Sequence, residues 1–194
     1  MTEAQARDIL TAAYAAEVEA RHGKFINDSH TQANIASVAR CLVSEEPGFG
    51  IFCCGLCGNG KTTMLYAFQN AVNYLNALGK LSAYGDNVGI RVIDAKEVMM
   101  LSKTDYKRYR AIRDCDMLGL EDIGREPTEV LDYGNVLSPL VDLLEARYNK
   151  QLFTFVTSNL QPKEVRQKYG TRIADRFNEM MTTIVFENPT YRNK

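Results

Sequence analysis

The residues best suited to chemistry lie in one short run, from Gly55 to Thr62. Their spacing is the phosphate-binding pattern G-x-x-x-x-G-K-[ST]. The glycines allow consecutive backbone N–H groups to curl around phosphates, where a side chain would obstruct the approach. Lys61 supplies a point charge for the β- and γ-phosphates, and the Thr62 hydroxyl is a suitable ligand for Mg²⁺. The nucleotide-binding residues predicted from this run and the threonine that follows it are Gly55, Gly58, Asn59, Gly60, Lys61, Thr62 and Thr63.

The neighbours of this run favour a functional phosphate loop. An apolar segment over 50–54 predicts a buried strand before it, and a helix is predicted from Lys61 to Leu78 after it. The N-terminus of that helix adds the positive end of its dipole to the site. A glycine-rich turn without a ligand would not require this strand-loop-helix order. The sequence therefore predicts binding of ATP together with Mg²⁺.

A second set of polar residues follows two other predicted strands. Glu121 and Asp122 end the strand predicted over 116–120, and we assign Glu121 to the metal and Asp122 to the attacking water. The alternative is a solvated acidic turn after a strand. Asn159 follows the strand predicted over 152–156 and suits sensing of the γ-phosphate or of water, because open parallel sheets bind ligands at that edge. Without the two preceding motifs, Asn159 would indicate only a turn.

Two arginines lie four residues apart on the predicted helix Thr171–Met180. Arg172 and Arg176 therefore share one face of that helix. Either arginine is close enough in sequence to pair with Asp175 or Glu179. The more specific hypothesis is that Arg176 reaches the ATP of a neighbouring subunit.

The remaining pattern alternates strands with helices. Further strands are predicted over 90–93 and 183–186, and further helices over 3–21, 31–43, 95–101 and 136–148. Strands separated by helical crossovers imply a parallel sheet covered on both faces. The predicted fold class is α/β, with a five-stranded, mainly parallel sheet flanked by helices. Residues 81–89 read as a loop insertion to which we assign no function.

Composition limits the remaining possibilities. At 194 residues and 45% hydrophobic, the chain fits one α/β domain, and its net charge of −1 provides no general attraction to nucleic acid. The longest apolar run is far shorter than the roughly 18 residues of a membrane span. The N-terminus lacks the basic segment followed by an apolar segment that is typical of a signal peptide. The five cysteines are an odd number, which favours reduced thiols, and Cys53, Cys54 and Cys57 lack a second ligand pair for zinc. We expect a cytoplasmic protein without a membrane partner.

Taken together, these motifs resemble the DnaC/IstB group of AAA+ ATPases, bacterial and phage proteins that load the replicative helicase or assist a transposase. The resemblance covers nearly everything from Phe25 onward. The runs that carry it are Gly55–Thr63, Leu120–Gly124, Thr157–Asn159, Arg172–Phe177 and Glu187–Arg192.

The resemblance implies a P-loop NTPase with an AAA+ core over residues 25–194, preceded by an N-terminal helix over 1–24 and lacking a C-terminal lid. It makes Asn159 the first sensor and Arg176 the arginine finger, and adds Arg172 and Phe25 to the nucleotide-binding set. Implied partners are a replicative helicase or transposase, single-stranded DNA, and further copies of the chain in the ATP state. The sequence departs from the family at Glu121, where aspartate is usual, and in having one helix before Phe25 where an N-terminal extension is expected.

Two other functions compete with a DNA-replication ATPase. A small-molecule P-loop kinase would use the same Lys61 and Thr62 but would usually carry an arginine-bearing lid. A non-hydrolysing ATP-dependent switch is favoured if Glu121 does not support turnover. For DNA contact, the candidate cluster combines cationic and aromatic side chains, a pairing that suits single strands, although a solvated helix face is the simpler explanation and the one we favour. Its members are Lys103, Tyr106, Lys107, Arg108, Tyr109 and Arg110.

Overall fold

A computed structural model describes residues 1–44, 48–81, 88–132 and 135–191. Its main sheet has five strands, all parallel, in the order β2-β3-β6-β1-β7, which confirms the predicted fold class. A separate antiparallel hairpin pairs β4 with β5. The strands are β1 Gly50–Gly55, β2 Ile90–Asp94, β3 Met117–Ile123, β4 Val130–Asp132, β5 Asn135–Leu137, β6 Phe153–Ser158 and β7 Met181–Phe186.

Helices cover both faces of the main sheet. Residues of β1 alternate between two apolar clusters, as a pleated strand requires: Ile51 packs with α1, α2 and α3, and Phe52 packs with the helices on the other face. The helices are α1 Glu3–Ala20, α2 Ser29–Val43, α3 Lys61–Ala77, α4 Ala95–Thr104, α5 Tyr106–Arg113, α6 Pro139–Asn149, α7 Pro162–Tyr169 and α8 Thr171–Met180.

The N-terminal helix is an integral part of one of these layers. Thr2 caps α1 in a capping box, and α1 buries Ala6, Leu10 and Tyr14 in the same cluster as Phe68 of α3. Burial of a leucine side chain contributes about 1.5–3 kcal/mol to stability. The predicted domain boundary after residue 24 stays a prediction, but α1 packs on α2 and α3 in the layer that covers one face of the sheet.

The structure corrects some predicted elements. The helix predicted over 136–148 begins instead at Pro139, because proline lacks an N–H and fits the first helical turn, and Asn135–Leu137 form β5. The eight-residue helices α5 and α7 were not predicted as separate elements. Of the predicted insertion at 81–89, residues 82–87 lie outside the described part of the chain. Every helix within the described ranges is too short or too polar to cross a lipid bilayer.

Candidate nucleotide-binding site

The loop between β1 and α3 has the backbone of a phosphate cradle. Gly55, Gly58 and Gly60 adopt φ values of 143°, 81° and 99°, in the region that favours glycine. A Cβ added at Gly60 would lie 2.2 Å from the hydroxyl of Tyr14, and one at Gly55 would lie 2.4 Å from the carbonyl oxygen of Phe186. Gly55 and Gly60 therefore each require glycine for two reasons: the positive φ and the close approach of neighbouring atoms.

The ammonium group of Lys61 is directed into this loop. Its Nζ donates to the carbonyl oxygens of Gly55 (2.9 Å) and Leu56 (2.7 Å) and to Oδ1 of Asn59 (3.0 Å). These bonds use all three donors of the ammonium. Burial lowers the pKa of Lys61, and the nearby carboxylate of Asp122 partly opposes that shift. A bound phosphate would therefore have to take the place of oxygen atoms of the loop that already accept hydrogen bonds from Lys61.

Residues after β7 brace the loop from behind. Buried Asn59 donates from Nδ2 to the carbonyl oxygen of Phe186 at 2.8 Å, and buried Asn188 donates from Nδ2 to the carbonyl oxygen of Asn59 at 2.9 Å. The backbone N–H of Tyr191 donates to the carbonyl oxygen of Gly58 at 2.9 Å. The conformation of the phosphate loop thus depends on residues more than 120 positions away in sequence.

The same tyrosine joins the loop to α2. The hydroxyl of Tyr191 lies 3.0 and 2.9 Å from the two carboxylate oxygens of Asp28 and 3.1 Å from the hydroxyl of Thr31. Asp28 caps α2 by accepting from the N–H of Thr31. Burial alone would raise the pKa of Asp28, but the hydrogen bonds from Thr31 and Tyr191 outweigh it and the pKa is lowered. Asp28 is therefore an ionised anchor beside the site.

A cavity of about 710 Å³ opens over the loop, within the size range of ligand pockets. The structure brings Lys61, Thr62, Asp122 and Asn159 together along it. Several of its walls come from parts of the chain that sequence reasoning did not connect to the site. The packing of α1 and α2, the turn after β3 and the return of the chain after β7 place them there. These additional lining residues include Tyr14, Arg21, His22, Thr31, Arg125 and Tyr191.

The two predicted acidic residues face different surroundings. Asp122 lines the cavity, donates its N–H to the hydroxyl of Thr157 at 3.0 Å, and pairs its carboxylate with Arg125 at 2.8 Å. Glu121 instead accepts from the hydroxyl of Tyr66 at 3.2 Å, one helical turn after Thr62. The assignment of Glu121 to metal and Asp122 to water stays a prediction.

Arg172 and Arg176 do not line the cavity of their own chain. Arg176 Nη1 lies 2.8 Å from Glu145 Oε1, without the alignment of a hydrogen bond, and its guanidinium lies 4.9 Å from the ring centre of Tyr148. Arg172 Nε lies 3.0 Å from the same Glu145 oxygen. Their ion-pair partner is therefore on α6, rather than Asp175 or Glu179. The side chain of Arg172 is 71% exposed and that of Arg176 is 12% exposed.

Phe25 also lies outside the residues that line the cavity. Its ring packs against Tyr14, with 6.0 Å between the ring centroids, and it borders the apolar cluster beneath α1. Its immediate neighbours Lys24 and Ile26 do line the cavity. The predicted contact between Phe25 and nucleotide stays a prediction.

The predicted DNA-contact cluster is divided by burial. Lys103, Lys107 and Arg110 are exposed, and so is Arg108, which pairs with Glu97 at 3.1 Å. Tyr109 is buried and donates its hydroxyl to the carbonyl oxygen of Pro139 at 2.8 Å, so its ring is not free to stack on a base. Tyr106, which is 59% exposed, is the one of the two tyrosines that offers a ring to solvent.

The sheet order, the phosphate loop after β1 and the acidic pair at the end of β3 define the AAA+ P-loop fold. Within residues 135–191 the chain shows no helical lid after β7. The strand that carries Asn159 lies between the phosphate-loop strand and the acidic strand. All three therefore end at one edge of the sheet, where open parallel sheets bind ligands.

Solved structures share this fold. The crystal structure of DnaI matches with a TM-score of 0.65 at 23% identity, covering 87% of this chain and 87% of that chain. The DnaC helicase loader matches with a TM-score of 0.62 at 18% identity, covering 83% of this chain and 92% of that chain. DnaA bound to AMPPCP and single-stranded DNA matches with a TM-score of 0.55 at 19% identity, covering 82% of this chain and 48% of that chain.

The sequence itself matches no protein-family model and no curated protein. At the identities found, the structural likeness concerns the fold, and at that level the DnaC-type resemblance predicted from the sequence is confirmed. The chain spans about half the length of DnaA, so that match covers a part of the initiator.

Proposed function

We propose that this chain is an ATP-binding and ATP-hydrolysing AAA+ accessory protein of DNA replication, of the helicase-loader kind. The observation that carries the proposal is the meeting of Lys61, Thr62, Asp122 and Asn159 along one cavity. Further support comes from the fold, which DnaI and the DnaC helicase loader share. We propose that the protein works in the cytoplasm.

The donor set fits ATP and Mg²⁺. The Thr62 hydroxyl and the Glu121 carboxylate are oxygen ligands of the kind Mg²⁺ takes, and Mg²⁺ when bound neutralises charge on the phosphate oxygens. Lys61 binds the β- and γ-phosphates, and the loop amides orient them. Asp122 orients the attacking water and accepts its proton, while Asn159 donates to the γ-phosphate or to that water. The structure of DnaA bound to AMPPCP, which shares this fold, supports the assignment of a nucleotide to this site.

Turnover further requires a second copy of the chain. Arg172 and Arg176 do not line the cavity of their own subunit, so their contact with phosphate would come in trans. An arginine supplied by a neighbour stabilises charge in the transition state. We therefore propose a homo-oligomer in the ATP state, with Arg176 as the finger and Arg172 beside it.

The proposed clients are a replicative helicase or a transposase, together with single-stranded DNA. Exposed Tyr106 offers a stacking surface among Lys103, Lys107 and Arg110, although the net charge of −1 supplies no general attraction. Alanine at Lys103, Lys107, Arg108 and Arg110 should remove DNA stimulation of ATP turnover. Stimulation that survives these four changes would exclude the cluster from DNA contact.

The decisive experiment measures ATP hydrolysis by the purified chain over a range of protein concentrations, with and without single-stranded DNA. Specific activity should rise with protein concentration, because the arginine comes from a second subunit, and should rise further with DNA. Slow turnover that is independent of concentration and of DNA would contradict the proposal. A burst of ADP that requires a metabolite would instead indicate a kinase.

Nucleotide binding has its own readout at Cys57. This exposed thiol lies in the phosphate loop, whereas the other four cysteines are buried or half-buried. ATP should slow alkylation of Cys57 while leaving the half-buried Cys41 of α2 unaffected. Lys61→Ala should lose this protection, because the charge that holds the phosphates is removed. Protection that persists in Lys61→Ala would overturn the site.

One observation favours a non-hydrolysing switch as a second candidate. The carboxylate of Glu121 is engaged by Tyr66 and does not line the cavity. Mg²⁺-dependent ATP binding that promotes assembly without any release of phosphate would establish the switch and exclude the ATPase.

A further inference from the structure

At the end of β3 the pairing with β6 shifts register between Leu120 and Ile123, and we call this segment and Gly124, which follows it, the Asp122 turn. It is held firmly on the side of β6. The N–H of Asp122 donates to the hydroxyl of Thr157 at 3.0 Å, and the hydroxyl of Ser158 donates to the carbonyl oxygen of Ile123 at 2.6 Å. Asp122 has a φ of 56°, uncommon for a residue with a side chain. Such a conformation persists where the surroundings enforce it.

On its other side, the turn is held by a buried carboxylate. Glu126 accepts from the N–H of Gly124 at 2.8 Å and from the hydroxyl of Tyr169, and its side chain is fully buried. Lys168 Nζ lies 3.6 Å from Glu126 Oε1 and donates to the carbonyl oxygens of Gly124 (2.8 Å) and Glu126 (2.6 Å). Burial raises the pKa of Tyr169, which therefore remains a donor. We call Glu126, Lys168 and Tyr169 the Glu126 clamp.

Burying a carboxylate costs free energy unless it is paired and hydrogen-bonded. A turn that served only to reverse the chain in solvent would gain no stability from a buried Glu126. Glu126 does not line the nucleotide cavity and cannot act on substrate directly. Its partners, however, occupy the end of α7, and only Gly170, with a φ of 87°, separates α7 from α8. Arg166 of α7 also pairs with Asp175 of α8 at 2.6 Å.

The clamp therefore lies on a continuous path through the subunit. One end is Asp122 at the nucleotide cavity, and the other is α8, which carries Arg172 and Arg176. We propose that the Glu126 clamp is a positioning unit that fixes the Asp122 turn for turnover and ties it to the arginine helix. Through it, the nucleotide state of a subunit sets the position of the arginines that the subunit presents to its neighbour. This inference rests on the proposed function.

Tyr169→Phe tests the clamp with the least change in shape, because it removes only the hydroxyl that Glu126 accepts. Tyr109→Phe is the matched control: Tyr109 is also buried and also donates, but to the carbonyl oxygen of Pro139. We expect Tyr169→Phe to lower kcat about tenfold or more with little change in KM, since small displacements of reacting groups are costly. Tyr109→Phe should keep kcat despite a similar loss of thermal stability.

A second readout does not depend on hydrolysis. Amide hydrogen exchange in 171–180 should slow when AMPPCP binds the wild-type chain, and this response should disappear in Tyr169→Phe and in Lys168→Met while Cys57 protection by nucleotide persists. The clamp proposal is overturned if 171–180 does not respond in the wild type, or if both variants respond as the wild type does. Absence of turnover in the wild type would contradict the ATPase instead and would leave the exchange test valid.

Discussion

At the scale of single residues, the site is controlled by how Lys61 and the acidic pair are held. Lys61 is kept in the phosphate loop by three acceptors of that loop, and burial depresses its pKa. The lysine is therefore already ordered before phosphate arrives, so binding costs little side-chain entropy. Its charge is easier to lose than that of an exposed lysine.

The lowered pKa of Lys61 leads to a prediction about alkaline pH. ATP affinity should weaken as the pH rises through that pKa, below the ordinary lysine value of about 10.4, because only the protonated amine attracts phosphate. Calorimetric titration with AMPPCP between about pH 7 and 10 measures this. Lys61→Arg, which stays protonated throughout, should flatten the dependence. An identical slope in both proteins would assign the pH effect to another group.

Conservative amides separate the roles of the acidic residues. Glu121→Gln should weaken the Mg²⁺ dependence of ATP binding, because a metal ligand loses its charge. Asp122→Asn should leave binding intact and lower kcat by about 100-fold, the scale of a lost general base. Mg²⁺ titrations with AMPPCP and single-turnover kinetics measure the two effects. The reverse pattern would exchange the roles.

At the scale of elements, one buried arginine fastens the edge of the sheet opposite the site. Arg147 of α6 is fully buried and donates to the hydroxyl of Thr154 and to the carbonyl oxygens of Arg113, Cys115 and Phe153. These contacts hold the segments that enter β3 and β6. Burial lowers the pKa of Arg147, and hydrogen bonds to carbonyl oxygens compensate for its desolvation.

Arg147→Met should lower the free energy of unfolding by about 3 kcal/mol, because buried carbonyl oxygens lose their donors. Arg110→Met, at an exposed position of α5, should change stability by about 0.5 kcal/mol or less. Urea denaturation measures both. At temperatures where the variant is folded, Arg147→Met should still bind AMPPCP, since its contacts lie at the amino edge of the sheet. A loss of nucleotide affinity in folded Arg147→Met would contradict the assignment of Arg147 to stability alone.

The brace behind the phosphate loop is a second element-scale feature. Asn188→Ala should weaken AMPPCP binding about tenfold, since it removes a buried hydrogen bond to the carbonyl oxygen of Asn59. Asn149→Ala, at the exposed end of α6, is the control and should keep the wild-type affinity. If Asn188→Ala binds as tightly as the wild type, the loop holds its shape without the brace.

At the scale of the whole molecule, the arginine helix and the nucleotide cavity belong to different surfaces of one subunit. Glu145 holds both Arg172 and Arg176 against α6, while the cavity opens between α1 and the phosphate loop. In the proposed homo-oligomer, a neighbour would complete the site, and Arg176 would have to exchange Glu145 for phosphate on assembly. Arg172, with most of its side chain exposed, requires less rearrangement.

Mixing two inactive variants tests this arrangement. Lys61→Ala retains its arginines, and Arg176→Ala retains an intact nucleotide cavity, so a mixed assembly should regain ATP turnover that neither variant shows alone. Arg176→Ala alone should keep nearly normal ATP affinity, because a trans residue acts on the transition state. Activity that stays absent in all mixing ratios, with reduced affinity in Arg176→Ala, would make Arg176 a local structural residue.

The sequence by itself determined the parts of the protein that short segments encode. The phosphate loop from Gly55 to Thr62 needs a strand before it and a helix after it, and the periodicity of those segments is visible in sequence. The sequence also placed Glu121, Asp122 and Asn159 at one edge of the sheet, because polar residues directly after apolar strands fall at one edge of a parallel sheet. Of these three, Asp122 and Asn159 line the cavity and Glu121 does not. The five strands of the main sheet and their parallel direction followed from the alternation of strands and helices, whereas the order of the strands within the sheet did not.

Tertiary structure decided the rest, since distant segments acquire their roles only when the chain brings them together. Tyr14 reaches the phosphate loop because α1 packs on α3, and Asn188 reaches it because β7 pairs with β1. Other features have no recognisable pattern in the local sequence. They are the burial of Tyr109, the pairing of both arginines with Glu145, and the Glu126 clamp. Polar contacts between residues far apart in sequence depend on the geometry of the completed fold, whereas the loop motif carries its phosphate-binding residues within one short segment.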